Sequence, residues 1–245
     1  MPIKGRFYWT LCLALAAGSV EAQPVGPPAR PTAPGERVSP RNSERIVGRL
    51  KKTRAKPLAG TSITAKQVLV FYDKRLDNRS TTSIELIVVH CTESPDLNSA
   101  LEAAEEVKYK TSGTGDVAHY YIDRKGGIVQ IVGNDRVANH TTGHNPASIG
   151  IELVNRGRFP NWHGSKHQVM SEPYTDAQIR SLTQLVLHLK KIMPSIQKIA
   201  GHDELDLRMV PATDDPSIQV RRRVDPGPMF PWDKIISAVQ LSRSQ

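Results

Sequence analysis

Hydrophobic positions along this chain fall in short, sharply bounded runs separated by polar turns. The run IELIVVH at 84–90 is β-branched and almost uninterrupted, the pattern of a strand covered on both faces, and it delivers His90 to the strand's C-terminal end. The runs at 119–123 and 128–132 flank the turn Arg124-Lys125-Gly126-Gly127 and predict an antiparallel hairpin. In SIGIELV, 148–154, the two-residue repeat of a strand puts Ile149, Ile151 and Leu153 on one face and Glu152 on the other. A short strand or edge segment over 68–71 and a strand over 196–200, running up to His202, complete the β pattern.

Helical spacing predicts three helices. The segment LNSALEAAEEVKYK, 97–110, carries apolar or small residues on one face. Thr175, followed three residues later by Gln178, has the pattern of a capping box. It opens a helix to about 192 in which Ile179, Leu182, Leu185, Val186 and Leu189 form one stripe. Pro231 opens a last helix reaching about 241. Strands interleaved with helices, plus one hairpin, predict an α/β fold: a mixed β-sheet flanked by helices.

The N-terminal part changes this picture. Lys4 and Arg6 precede an apolar run over 7–17, and Val20-Glu21-Ala22 supplies the small-x-small pattern of a cleavage site before Gln23. Residues 1–22 therefore read as a signal peptide, which implies export to a periplasm or secretion. The run is shorter than the ~20 residues of a spanning helix and no later stretch approaches that length, so no transmembrane segment is expected after cleavage. Cleavage leaves Cys91 as the one remaining cysteine, which excludes a disulfide framework within the chain. The Pro-, Arg-, Ser- and Gly-rich stretch 23–59 reads as a disordered linker, with the folded domain over 60–245.

Charge adds a bias in partners. Thirty-three Lys+Arg against 24 Asp+Glu give a formal +9, which favours anionic partners. Nothing resembles a recognition helix or an aromatic RNA-stacking motif, so nucleic acid is not expected among them. The basic linker suits electrostatic contact with an anionic envelope.

Candidate chemistry lies at the strand ends. His90 and His202 both follow short apolar strands, and parallel neighbouring strands would present both imidazoles at one sheet edge. Asp225, held in front of Pro226-Gly227-Pro228, can return to that edge. Two imidazoles and a carboxylate suit zinc and leave a fourth position for water, as hydrolytic sites require. For each histidine alone, a hydrogen-bonded structural role stays open.

Six ordered blocks then carry a specific resemblance: VVHCTE at 88–93, AHYYIDRKGG at 118–127, ANH at 138–140, NPASIGIE at 145–152, AGH at 200–202 and DPGP at 225–228. They resemble the zinc N-acetylmuramoyl-L-alanine amidases of the AmpD type, in the superfamily that includes phage-lysozyme-like amidases and peptidoglycan recognition proteins. The resemblance covers about 84–236 and implies a zinc groove at one sheet edge. One zinc ion per chain would be bound by the residues matching His90, His202 and Asp225. Glu152 would activate the attacking water, and His119, His140 and Asn145 would contact substrate. That substrate would be peptidoglycan or a muropeptide, cut between N-acetylmuramic acid and L-alanine. A non-catalytic peptidoglycan-binding module and a zinc peptidase acting on a peptide bond are the alternatives.

The sequence departs from that family at three points. Arg223, in the triplet Arg221-Arg222-Arg223, stands where the family usually has a lysine; it reads either as an oxyanion-stabilising catalytic residue or as part of a basic patch. Asn139 stands where an aromatic residue is frequent. The insert 203–224 is longer than usual and reads either as a loop over the groove or as an inert surface excursion. The polar segment 156–173 contains Phe159 and Trp162, which suit sugar stacking or pinning of the loop. His163 and His167 are four apart, but Gly164 and the loop composition argue against a zinc-binding helix.

Overall fold

The computed structural model describes residues 40–58, 61 and 63–244, with side chains from Ile46 onward. Residues 1–22, read above as a signal peptide, and 23–39 lie outside the described residues. Ten strands, β1 (Lys56–Pro57), β2 (Thr64–Gln67), β3 (Leu86–Cys91), β4 (Tyr120–Ile122), β5 (Ile128–Gln130), β6 (Ser148–Leu153), β7 (Lys198–Gly201), β8 (Met209–Pro211), β9 (Gln219–Arg221) and β10 (Ser242–Arg243), alternate with five helices. The helices are α1 (Pro40–Lys52), α2 (Leu97–Ala104), α3 (Asp176–Ile192), α4 (His202–Leu205) and α5 (Trp232–Val239).

Eight strands form one sheet in the order β1-β2-β5-β4-β6-β3-β7-β10. Strand β3 runs parallel to β6 on one side and to β7 on the other, while β4 and β5 form the expected antiparallel hairpin. Every residue of β3 is buried, as its uninterrupted apolar pattern requires. The mixed sheet flanked by helices is the architecture read from the chain.

The two faces of the sheet are covered differently. On one, Ile87, Val89, Ile122, Ile149, Ile151 and Leu153 pack against the α3 stripe and against Ile235 and Val239 of α5. Burying side chains of this size stabilises the fold by roughly 1.5–3 kcal/mol each. Helix α3 starts where its cap dictates: Thr175 Oγ1 accepts from the Gln178 amide at 3.1 Å, and Gln178 Oε1 accepts from the Thr175 amide at 3.1 Å. Gln178 Nε2 also donates to Val154 O at 2.8 Å, which ties the helix start to the chain just past β6. On the other face, Tyr121 and Val129 pack with α1 and α2, and Leu86, Val88 and Ala200 meet Leu205 of α4. At the C-terminal ends of β3 and β7 that second face carries His90 and, just past β7, His202, both buried.

Four boundaries differ from the sequence reading. The linker expected over 23–59 contains α1 and β1, so folded structure begins by Pro40. Averaged composition hides the reason: Ile46, Val47 and Leu50 share one helical face and are buried against Leu101 and Ala104 of α2. Helix α2 ends at Ala104 rather than 110, because Val107 and Tyr109 are exposed and continue no apolar stripe. The Glu105 carboxylate turns instead to Arg49 at 2.6 Å and to the Phe71 amide at 3.3 Å. In place of the strand expected over 68–71, β2 lies at 64–67, and 68–71 only continues its pairing through the Val68 and Val70 amides. The insert 203–224 is not a loop: it opens with α4 and holds the β8–β9 antiparallel hairpin.

Among the described residues, no helix is long and apolar enough to cross a membrane. At either edge the large sheet ends in a two-residue strand, β1 with Lys56 and Pro57, β10 with Ser242 and Arg243. Helix α1 makes a direct test of where the domain begins. Ile46→Ala should lower unfolding stability by about 2–5 kcal/mol in urea titration, as a large-to-small change in a closed core does. A change within ~0.5 kcal/mol would return 40–52 to the linker.

Candidate metal centre

The parallel register of three strands assembles the site. His90 of β3 is level with Glu152 of β6, and Val89 is level with Gly201, the residue before His202. Asp225 returns from the insert to the same edge, its carbonyl accepting from the Asp203 amide at 2.8 Å. His90 Nδ1, His202 Nδ1 and Asp225 Oδ2 converge: the two nitrogens are 3.1 Å apart, and they lie 3.1 and 3.2 Å from the carboxylate oxygen. All three residues are buried.

This donor set fits zinc. Bonds of ~2.0–2.1 Å in a tetrahedron put neighbouring ligand atoms roughly 3.3 Å apart, close to the spacing seen. Protonation also fits, since ligands bind deprotonated. Burial lowers His90 to about 4, leaving a neutral imidazole at pH 7. Against burial, the His202 and His90 partners hold Asp225 well below the usual carboxylate range. Asp225 Oδ1, Glu152 Oε2 and Arg223 Nε are shielded from solvent without a hydrogen-bond partner among the described residues. Buried polar atoms are normally paired, so three orphans beside one donor cluster mark a place built for another group.

Behind the donors runs a chain of rings and hydroxyls. His90 Nε2 lies 3.0 Å from His140 Nδ1, His140 Nε2 lies 3.2 Å from Ser148 Oγ, and Ser148 Oγ donates to His144 O at 2.7 Å. Such an outer partner fixes the tautomer and orientation of a ligating histidine. The ring can approach the strand only because residue 150 is glycine; a Cβ there would sit 2.7 Å from two atoms of the His140 ring.

Glu152 and Arg223 complete the edge. Burial pushes the Glu152 carboxyl well above the usual glutamate range; the Asp225 charge adds to this and the Arg223 charge opposes it. The Arg223 charge also lowers the proton affinity of His90.

The three residues expected to touch substrate make hydrogen bonds within the protein. His119 is enclosed, 0% exposed, with Nδ1 accepting from the Gly150 amide at 3.1 Å and Nε2 beside Arg79 at 2.6 Å. Asn145 Oδ1 accepts the amides of His140 and Thr141 at 3.0 and 2.7 Å, shaping the loop that carries His140. His140 itself is occupied by His90 and Ser148. Position in a family block located the residues, and the polar atoms named here bond within the protein. Asn139 likewise donates to Gly115 O at 3.2 Å. His163 and His167 lie in a turn-rich segment and are not among the described residues that group as metal donors. Sequence reasoning missed Glu93 and Arg158, a buried ion pair beside the site with N···O 2.7 Å. A charged residue in a polar loop carries no signal that it is buried.

Comparison with known proteins agrees with this geometry. Residues 80–228, well over half the chain, match the family described as N-acetylmuramoyl-L-alanine amidase. The chain belongs to that family. It is 33% identical over 133 residues to 1,6-anhydro-N-acetylmuramyl-L-alanine amidase AmpD of Haemophilus influenzae, covering 50% of this chain and 58% of that protein. It is 28% identical over 160 residues to N-acetylmuramoyl-L-alanine amidase AmiD of Escherichia coli, covering 62% of this chain and 52% of that protein. The matches thus span little more than half the length of these relatives. A crystal structure of a selenomethionine AmpD derivative shares the fold, with TM-score 0.51 and 24% identity over 75% of this chain and 96% of that one. AmpDh3 from Pseudomonas aeruginosa, in complex with anhydromuramic pentapeptide, gives 0.50 and 22% over 65% and 61%.

Metal analysis tests the donor set. The purified amidase-family chain should hold one zinc ion by atomic absorption after dialysis, and Asp225→Ala should hold less than a tenth of that. Equal zinc in the two proteins would remove Asp225 from the ligands.

Proposed function

We propose that this chain is an exported zinc hydrolase that cleaves the amide bond between the lactyl group of N-acetylmuramic acid and L-alanine in peptidoglycan or muropeptides. The observation that carries this reading is the meeting of a buried His90–His202–Asp225 donor set with Glu152 at one sheet edge. The family and the named activities of AmpD and AmiD supply the bond. Zinc held by these three residues would supply Lewis acidity toward the carbonyl and an acidified water near pH 7.

The chain's own residues would move the protons. Glu152, its carboxyl raised by burial, takes a proton from the attacking water and returns it to the leaving amine as the C–N bond breaks. Water's oxygen stays on the lactyl carbonyl carbon, so the products are a free lactyl carboxyl and a free L-alanine amine. Arg223, permanently charged, faces the charge that develops on the carbonyl oxygen. A binding module without catalysis would need neither the unpartnered Glu152 oxygen nor the open donor set. Export rests on the pattern at 1–22, with a periplasmic or secreted location to be read by cell fractionation.

Mass spectrometry of digested muropeptides decides the bond. Release of intact stem peptides beginning with L-alanine supports the amidase, while cleavage within the stem would make it a zinc peptidase. Glu152→Gln should keep its zinc and lose ~10²–10⁴-fold in turnover. Because the base must be ionised, kcat/KM should fall as pH drops through the Glu152 pKa, at a pH above the ordinary glutamate range, and Glu152→Gln should lack that limb. Near-normal turnover by Glu152→Gln would remove the residue from this role.

A further inference from the structure

The polar segment 156–173 and the insert 203–224 are joined at one buried side chain. Arg158 has a side chain at 0% exposure, and its guanidinium is saturated. Nε and Nη2 donate to the two oxygens of Glu93 at 2.7 and 2.9 Å, a bidentate fork. Nη1 donates to Gln168 Oε1 at 3.0 Å and to Arg221 O at 3.0 Å, and Nη2 donates to Arg222 O at 3.2 Å. The last two acceptors are the backbone carbonyls immediately before Arg223. At its other end the fork reaches Glu93, three residues past His90, which sits in the left-handed region at φ 44°. Gly157, at φ +50°, allows this approach: a Cβ there would lie 2.7 Å from Glu93 Cγ.

We propose that Arg158, held by Glu93, is a positioning residue that fixes the backbone entering Arg223 and so aims the Arg223 side chain at the reacting carbonyl. The inference rests on the amidase reading for its kinetic part. Its physical basis is geometric: one planar, rigid group links the end of the His90 strand to the strand end that carries Arg223. The β8–β9 hairpin closes on itself and is tied to its surroundings through Asp206, Asp214, the Thr213 amide on His163 O, Arg221 Nη2 on Asp203 O and this guanidinium, and it is the guanidinium that also reaches Glu93. A lysine ammonium is a point donor on a flexible stem and cannot serve both Glu93 oxygens and two carbonyls. Misplacing a catalytic group by about 1 Å can cost ~10²-fold in rate.

The test is a double-mutant cycle on zinc-loaded, full-length protein with a soluble muropeptide. Arg158→Lys should lower kcat roughly 10- to 100-fold with KM and zinc content within about twofold of the parent. In an Arg223→Ala background the same change should have almost no further effect on kcat, because the group it aims is gone. Losses that multiply across the two changes would overturn the proposal. Hydrogen exchange supplies a readout that needs no turnover: amides over 219–225 should exchange faster in Arg158→Lys, with α3 unchanged. Unchanged exchange there would overturn the positioning role even if the parent proved inactive, an outcome that would by itself defeat only the amidase reading. Should Arg158→Lys fail to fold, Glu93→Gln keeps the side chain's shape, removes the charge that holds the fork, and should show the same pattern in weaker form.

Discussion

The parallel register of β3 with β6 and β7 is the constraint on which the molecule rests. Pairing residue for residue, it sets His90 beside Glu152 and brings His202 alongside, although 112 positions separate the two histidines. A slip of one residue would turn every side chain of β3 to the opposite face and put Val89 where His90 stands. The register is protected by burial: Ile87, Val89, Ile149, Ile151 and Leu153 all belong to the face under α3. The hydrophobic core and the chemical site are thus the two faces of the same strands. One enforces the geometry of the other.

Electrostatics in this site follow from that arrangement. Strand ends under partial cover exclude water and leave His90 neutral and Glu152 reluctant to ionise, while the same cover strengthens the attraction that keeps Asp225 charged. Neighbouring acids of one type therefore hold opposite tendencies. One is tuned to hold a cation, the other to trade a proton. The relay from His90 through His140 and Ser148 to His144 O shows how much hydrogen bonding is invested behind a single donor atom.

Much of this was legible in the chain. The β-branched run before His90, the alternation around Glu152 and the Thr175–Gln178 cap are local patterns whose physical meaning does not depend on distant residues, and the structure forms them nearly as read. The donor trio was legible only as a combination, since nothing local to Asp225 says that it meets His90. Helix α1 escaped because three apolar residues are diluted in a basic, proline-rich stretch. For His119, His140 and Asn145 the hydrogen bonds within the protein were not legible, because a family block marks that a residue matters without saying what it touches. Glu93 and Arg158 were invisible for a related reason: a buried ion pair looks, in sequence, like two surface charges.

The edges of the sheet carry a consequence of their own. An eight-stranded sheet normally exposes a row of unpaired amides and carbonyls on each outer strand, a template on which another chain can pair. Here both outer strands are only two residues long, and they bear a lysine and a proline at one side and an arginine at the other. The proline offers no amide, Lys56 is exposed, and Arg243 is held by Glu204 and the Trp232 ring. The sheet is therefore wide enough to hold a three-strand site one strand in from its β10 edge while each outer strand stays too short to offer a long row of unpaired groups.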